Sequence, residues 1–296
     1  MVTAAHTASA RQWRRLVTDK IAEGVPTPTE AHAMACMLLS HHIGYTSTQE
    51  VLGHTLTLPA NLQTTFWAEV AQLQEGYPLQ YILGSSPFLH GEILVNKHVL
   101  IPRKETEELV AHMLHQHPTH GGQVLDLCTG SGCIAIALKD AWSNATVTAV
   151  DISAEALDVA KQNAEAWQVE VDFLQRDILQ DPLPAQQWDI IVSNPPYVCY
   201  EERKYMSKTV LEHEPVAAIF VPDDNPLCFY KRILQLANTH LAPQGLLYVE
   251  INKAFAAEVV RLLMHGQFEA VQVHRDLSGN DRWISAVSPD KRRASP

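Results

Sequence analysis

The sequence predicts an α/β protein built on a doubly wound, mostly parallel sheet, with a small helical domain ahead of it. Three observations carry that expectation. From Gln123 onward, short apolar runs alternate with stretches of helical periodicity, the pattern of a parallel sheet covered by helices on both faces. Between residues 10 and 75 the apolar positions recur at helical spacing. The segment Asp126-Leu127-Cys128-Thr129-Gly130-Ser131-Gly132 follows the first apolar run and opens a helix, the context in which a backbone approaches a ligand closely.

The 296 residues, 46% hydrophobic and 19% charged, suffice for one full α/β domain and a smaller one. No run approaches the roughly 20 apolar residues that cross a bilayer, and the first 20 residues lack a signal-peptide core. A cytoplasmic protein without a membrane partner is therefore expected. Arg11, Arg14 and Arg15, with no acid before Asp19, also suit a transit peptide, but a first amphipathic helix is the preferred reading. A net charge of -11 argues against a broad duplex-binding surface, so no stable nucleic-acid binding is expected. The five cysteines form no Cys-x-x-Cys pair, which favours free thiols.

In chain order, residues 1–76 read as the helical domain, broken at Gly24 to Pro28 and at Leu58 to Pro59. Thr29 is expected to cap a helix carrying Ala33, Met34, Met37 and Leu38. Residues 77–107 read as a linker with a β-hairpin formed by Phe88 to Leu94 and Val99 to Ile101, ended by Pro102-Arg103. Thr106 to His117 reads as a helix, and residues 108–288 make up the α/β domain. Its strands are Gln123 to Leu127, Thr146 to Asp151, Val169 to Leu174, Trp188 to Ser193 and Gly245 to Ile251, separated by helices such as Ala154 to Trp167 and Leu227 to Leu241. Ala270 to Arg275 and Trp283 to Val287 are joined so briefly that one should be an antiparallel edge. Residues 289–296 are polar and expected to fray.

Chemistry concentrates at Asn194-Pro195-Pro196-Tyr197, where two prolines stop the fourth strand. Proline lacks an N–H, so this turn offers carbonyl acceptors at fixed φ beside the Asn194 carboxamide and the Tyr197 ring. A planar NH2 group fits such a site, with its hydrogens on the Asn194 side-chain oxygen and the Pro195 carbonyl and its face on Tyr197. Holding those hydrogens out of plane would aim the nitrogen lone pair at an electrophile, which is catalysis by positioning. The plain alternative is loop punctuation after a strand.

The glycine loop favours a nucleotide-like cofactor. Asp151 closes the second strand roughly 20 residues further on and can accept from ribose hydroxyls. The full Gly-x-Gly-x-x-Gly is missing, since Cys128 and Ala135 hold its first and third positions. With Asp126 closing the strand, the loop resembles that of class I S-adenosylmethionine-dependent methyltransferases, where the acid faces the charged amino-acid end. Asp177 can accept from an adenine amine and Ile178 can cover the ring, although Asp177 alone reads almost as well as a surface carboxylate.

Over nearly its whole length the chain resembles the HemK/PrmC-type glutamine methyltransferases. Asn194-Pro195-Pro196-Tyr197 matches their catalytic motif, and Pro78 to Gly84 and Leu100-Ile101-Pro102-Arg103 with Thr106 and Glu107 match their linker. His213-Glu214-Pro215, and Arg275-Asp276-Leu277 with Gly279, Asp281 and Arg282, are similar to further family segments. The latter favour the release-factor enzymes over the sister family acting on a large-subunit ribosomal protein. The resemblance implies transfer of a methyl group from S-adenosyl-L-methionine to the glutamine of the Gly-Gly-Gln loop of peptide chain release factors. It also implies that residues 1–76 recognise that substrate. Asn194 and Pro195 would orient the amide, Pro196 and Tyr197 would shape its pocket, and Cys128, Thr129, Gly130, Ser131, Gly132, Asp126, Asp151, Asp177, Ile178 and Asn194 would surround the cofactor.

Three positions depart from the family pattern: Lys104-Glu105 in place of Pro-Asp, Cys128 in place of glycine, and Asn252-Lys253 after the fifth strand. Cys128 suits the loop if its φ is negative and weakens cofactor binding if that position needs φ > 0. A nucleic-acid adenine amino methyltransferase and an inactive release-factor-binding adaptor are the alternatives. His112, His115, His117 and His120 lack partners at metal-ligand spacing and read as a solvated helix end. Gly121-Gly122-Gln123 reads as a chance loop, Trp13, Phe66 and Trp67 read as helical-domain core, and Arg103 with Glu107 reads as an ordering pair or a surface one.

Overall fold

The computed structural model describes residues 5–290, so the expected frayed tail lies outside the described residues from 291 onward. Two compact units are present: one runs to Gly84 and includes Ser207–His213, and the other holds Ser85–Met206 and the chain from Glu214 onward. Among the described residues no helix is long and apolar enough to cross a membrane.

The first unit contains β1 (His6–Ser9), α1 (Ala10–Ile21), α2 (Pro28–Ile43), α3 (Ser47–Val51), β2 (Thr55–Leu58), α4 (Gln63–Gln74) and α5 (Leu79–Leu83). Ser9 caps α1 in a reciprocal capping box with Gln12. Trp13, Val17 and Ile21 form the buried stripe of α1. Trp13 and Phe66 are fully buried and meet edge to face at 6.0 Å, and Trp67 packs on the same cluster, as the core reading expects. Two expectations need correction. The cap of α2 is Thr27, with Pro28 in the first turn where its missing N–H costs nothing, so Thr29 lies inside the helix. The segment is also not purely helical, because β1 and β2 pair antiparallel. Strands of four residues flanked by helices carry too little periodicity to be read alone.

The second unit opens with a hairpin of β3 (Ser85–Phe88) and β4 (Gly91–Leu94). Val99 to Ile101, expected as its second strand, forms no strand. The Ile101 N–H donates instead to the Glu214 carboxylate at 3.2 Å, so a side chain takes the donor a ladder would have used. There follow α6 (Lys104–Gln116), β5 (Gln123–Leu127), α7 (Cys133–Ala141), β6 (Thr146–Asp151), α8 (Ala154–Trp167), β7 (Asp172–Gln175), β8 (Trp188–Ser193) and β9 (Val198–Cys199). After α9 (Lys208–His213), which belongs to the first unit, come β10 (Phe220–Val221), α10 (Cys228–His240), β11 (Leu241–Glu250), α11 (Ala256–His265), β12 (Glu269–Arg275) and β13 (Asp281–Val287).

Seven of these strands form the central sheet in the order β12-β13-β11-β8-β5-β6-β7. The five inner strands β11, β8, β5, β6 and β7 run parallel, while β13 is antiparallel to both neighbours. The antiparallel strand therefore sits one place in from the edge, and β12 is the edge itself. Strand order reverses between β5 and β8, which opens a crevice at their carboxyl ends. β7 starts three residues later than the expected Val169. Gln168 adopts the left-handed cap of α8, and the Val169 N–H bonds back to Ala164 O, so these residues finish the helix.

Asn163, fully buried on α8, joins the hairpin to the glycine loop. Its oxygen accepts from the Leu94 N–H at 2.6 Å, and its NH2 donates to the carbonyls of Leu94 and Ser131 at 3.0 and 2.9 Å. Asn163→Ala strands these buried groups, and urea unfolding should show a loss of about 2–4 kcal/mol.

Candidate active site

The glycine loop leaves the end of β5 through unusual backbone. Cys128, Gly130 and Gly132 all have positive φ, at 61°, 56° and 82°. The Thr129 N–H donates to Val150 O at 3.0 Å, which ties the loop to β6. At Gly132 a Cβ would come within 2.9 Å of Ile136 and 3.0 Å of Ala160, so glycine there permits the packing of α7 on α8. At Gly130 a Cβ would meet nothing within 4 Å, and the backbone borders open space. Asp151 braces the turn, since its carboxylate accepts from the Gly130 N–H at 2.8 Å and the Ser153 N–H at 3.0 Å. Burial nevertheless raises its pKa above the ordinary aspartate value.

A cavity of about 370 Å³ lies against this loop, large enough for a small-molecule cofactor. Its walls include Cys128, Thr129, Gly130, Ser131, Asp151, Asp177, Ile178, Asn194 and Pro196, so most of the residues singled out in the sequence meet at one space. Asp126, Gly132, Pro195 and Tyr197 are not among its lining residues but adjoin residues that are. Asp126 is fully buried, accepts from the Thr129 hydroxyl at 2.5 Å, and has a second oxygen without a partner. Burial pushes its pKa up to about 7. Asp177 uses both oxygens on its own turn, accepting from the Leu179 N–H at 2.9 Å and the Gln180 side chain at 2.8 Å. The carbonyl of Ile178 is pinned by Arg232 at 2.6 Å, an anchor with no signal in the sequence.

The second wall is the turn after β8. Asn194 donates from its NH2 group to Thr106 Oγ1 at 3.0 Å, and Thr106 donates to Glu250 Oε2 at 2.7 Å. The Tyr197 hydroxyl donates to the other oxygen of Glu250 at 2.9 Å. Glu250 is buried, and desolvation pushes its pKa up to about 7 against the pull of Thr106, Tyr197 and Arg282. Sequence reading gave no role to Glu250, yet a signal existed: an acid inside an apolar strand must find partners when buried. Arg103 pairs with Glu214 at 2.6 Å, while Glu107 pairs with Lys104 at 3.0 Å, so the expected link of Arg103 with Glu107 is replaced by one to a residue 111 positions away.

The three departures have structural answers. Lys104 begins α6 in the first turn, where a proline would also be accepted. Asn252 has φ of -70°, needs no glycine freedom, and donates to Tyr197 O at 3.2 Å and the Glu202 carboxylate at 2.9 Å. Cys128 is the strained one, because a side chain in the left-handed region costs about 1–2 kcal/mol. Its thiol stays protonated, raised well above the usual value by burial and by the nearby carboxylates of Asp151 and Asp126. Relief of strain in Cys128→Gly is offset by about 1 kcal/mol of chain entropy, so its melting temperature should stay near that of the parent protein. Cys128→Val adds a β-branched side chain at φ > 0 and should melt several degrees lower, measured by calorimetry.

Comparison with known proteins extends over both units. Residues 12–84 match the family described as the PrmC N-terminal domain, and residues 104–214 match the methyltransferase small domain. The chain is 44% identical over 229 residues to a release factor glutamine methyltransferase of Flavobacterium psychrophilum, covering 76% of this chain and 80% of the relative. It is 39% identical over 260 residues to one of Bacteroides thetaiotaomicron, covering 88% and 93%. Among solved structures, the 16S rRNA N2 G1207 methyltransferase of Thermus thermophilus, in complex with AdoMet and guanosine, superposes with a TM-score of 0.50 at 20% identity, covering 69% of this chain and 49% of that one. That likeness concerns the fold of the sheet and its helices. Identity near two residues in five, sustained over most of both sequences and accompanied by the matching N-terminal domain, places this chain in the release factor glutamine methyltransferase family.

Proposed function

We propose that this protein transfers a methyl group from S-adenosyl-L-methionine to the side-chain amide nitrogen of the glutamine in the Gly-Gly-Gln loop of peptide chain release factors. The single observation that carries the reading is that Asn194 and the glycine loop line one cavity. A carboxamide able to grip an NH2 group thus faces a cradle shaped for a nucleoside-bearing ligand.

The residues present fit S-adenosyl-L-methionine. Gly130 leaves its side of the cavity open, and each oxygen of Asp151 holds one backbone N–H and keeps a lone pair for a ribose hydroxyl. Ile178 offers an apolar wall to a ring, and Asp177 stands beside it. When bound, this cofactor supplies an electrophilic methyl group on a sulfonium centre.

The chain's own residues supply orientation. The Asn194 oxygen accepts one hydrogen of the substrate amide and the Pro195 carbonyl accepts the other. Amide resonance delocalises the nitrogen lone pair, and fixing both hydrogens turns that lone pair toward the methyl group. With the cofactor held against Gly130, Asp151 and Ile178, its methyl group would pass to the aligned nitrogen, the sulfur would leave as a neutral thioether, and the methylated amide would lose one proton to water. No side chain need act as a strong base, so the rate advantage comes from alignment. Tyr197 backs the turn through its bond to Glu250.

Asn194→Ala should abolish methylation of a release factor, with cofactor affinity by calorimetry largely retained; normal turnover would remove the mechanism. Asp151→Ala should weaken cofactor binding about 10- to 100-fold in the same calorimetric assay, because charge-assisted hydrogen bonds are lost. Incubation with labelled cofactor and three acceptors, a release factor, a ribosomal protein and DNA, should label the release factor alone. Label on either other acceptor would reassign the substrate, and release-factor binding without label would mark an adaptor.

A further inference from the structure

We infer that Thr106 and Glu250 form a hydrogen-bond relay that fixes which end of the Asn194 carboxamide faces the cavity, making both of them positioning residues for amide methylation. The inference rests on the role proposed above for Asn194.

In its ionised form, which the bonds from Thr106 and Tyr197 and the charge of Arg282 favour, Glu250 can only accept, and a threonine hydroxyl has one proton to give. Thr106 Oγ1 lies 2.7 Å from Glu250 Oε2 and 3.0 Å from Asn194 Nδ2. Its proton therefore goes to Glu250, and its oxygen retains only lone pairs for Asn194. The NH2 end of Asn194 is the end that can meet it, which turns the carbonyl oxygen toward the substrate side.

Without that constraint the two ends of the carboxamide are nearly the same size, and a half-turn would present NH2 to an incoming NH2. Two donors would then face each other, with the substrate hydrogens left without an acceptor. Thr106 and Glu250 are both buried, with Thr106 at the cavity wall, which limits competition from water for these bonds. Burial also raises the cost of ionising Glu250, while donors from Thr106 and Tyr197 and the charge of Arg282 favour the ionised form. Because Tyr197 takes the second carboxylate oxygen at 2.9 Å, one side chain of β11 holds both ends of the Asn194-Pro195-Pro196-Tyr197 turn.

The test compares Thr106→Val, Thr106→Ser and Glu250→Gln in the full-length protein. Thr106→Val keeps the shape and removes the acceptor, so kcat for release-factor methylation should fall about 10- to 100-fold with KM and cofactor affinity within about two-fold. Thr106→Ser, which keeps the hydroxyl, should restore kcat to within about three-fold of the parent, whereas a loss of packing would not be rescued. Glu250→Gln should lose turnover in the same manner as Thr106→Val; if it does not fold, the two Thr106 variants decide the matter. Side-chain amide hydrogens of Asn194 should also exchange faster with solvent in Thr106→Val, observed by nuclear magnetic resonance. Parental kcat in Thr106→Val, or Thr106→Ser as slow as Thr106→Val, would overturn the relay while leaving an inactive Asn194→Ala to support the amide-grip reading. An active Asn194→Ala would overturn that reading and the relay together.

Discussion

The register of β5 against β8 is the constraint on which the site depends. Leu127 pairs with Ser193, and the Ser193 hydroxyl donates to the Leu127 carbonyl at 2.7 Å, so the two strands end level. The next residues are Cys128 on one strand and Asn194 on the other. A glycine loop and an Asn-Pro-Pro-Tyr turn therefore emerge side by side at the point where strand order reverses. Parallel pairing and the Ser193 hydroxyl bond fix this together. A slip of one residue would turn every side chain of the strand to the other face and bury Asn194 among helices.

Around that junction the protein gathers several buried polar groups. Asp126, Asn163, Ser193, Glu214 and Glu250 are all buried in the second unit. A buried carboxylate is costly unless hydrogen-bonded. Four of these groups brace residues that line the cavity or stand next to it in the chain: Asn163 holds Ser131, Ser193 holds Leu127, Glu214 holds Ile101 and Arg103, and Glu250 holds Thr106 and Tyr197. A hydrogen-bonded polar shell of this kind holds the neighbouring side chains in place, a form of preorganisation suited to the alignment proposed above. The orphan oxygen of Asp126 is the exception, and it coincides with a carboxyl whose pKa burial pushes up to about 7.

Much of the fold was legible in the chain. Gln123–Leu127, Thr146–Asp151, Trp188–Ser193 and Ala154–Trp167 appear with the bounds their apolar patterns announce. Long periodic segments read well because one face must be buried along the whole element. The failures are mostly short or capped elements: β1 and β2, the hairpin, whose turn splits the expected strand Phe88 to Leu94, the starts of β7 and β11, and the cap of α2. In each, hydrogen bonding that the apolar pattern does not record decides the outcome. Thr27 rather than Thr29 caps α2, Gln168 turns left-handed, and Ile101 bonds to Glu214 instead of to a strand.

By itself the sequence determined the α/β class, the glycine loop, the acid after the second strand and the Asn-Pro-Pro-Tyr turn, because residue type and spacing along one strand or loop suffice for each. Only the tertiary structure decided that Cys128 sits at positive φ and that Asp126 is buried and does not line the cavity. The same holds for the partner of Arg103, which is Glu214, and for the bonds of Thr106 and Tyr197 to Glu250. These features join residues 53 to 144 positions apart, or depend on the exact path of a loop. No pattern along the chain records them, since they arise only when the sheet closes and buried polar groups must find partners.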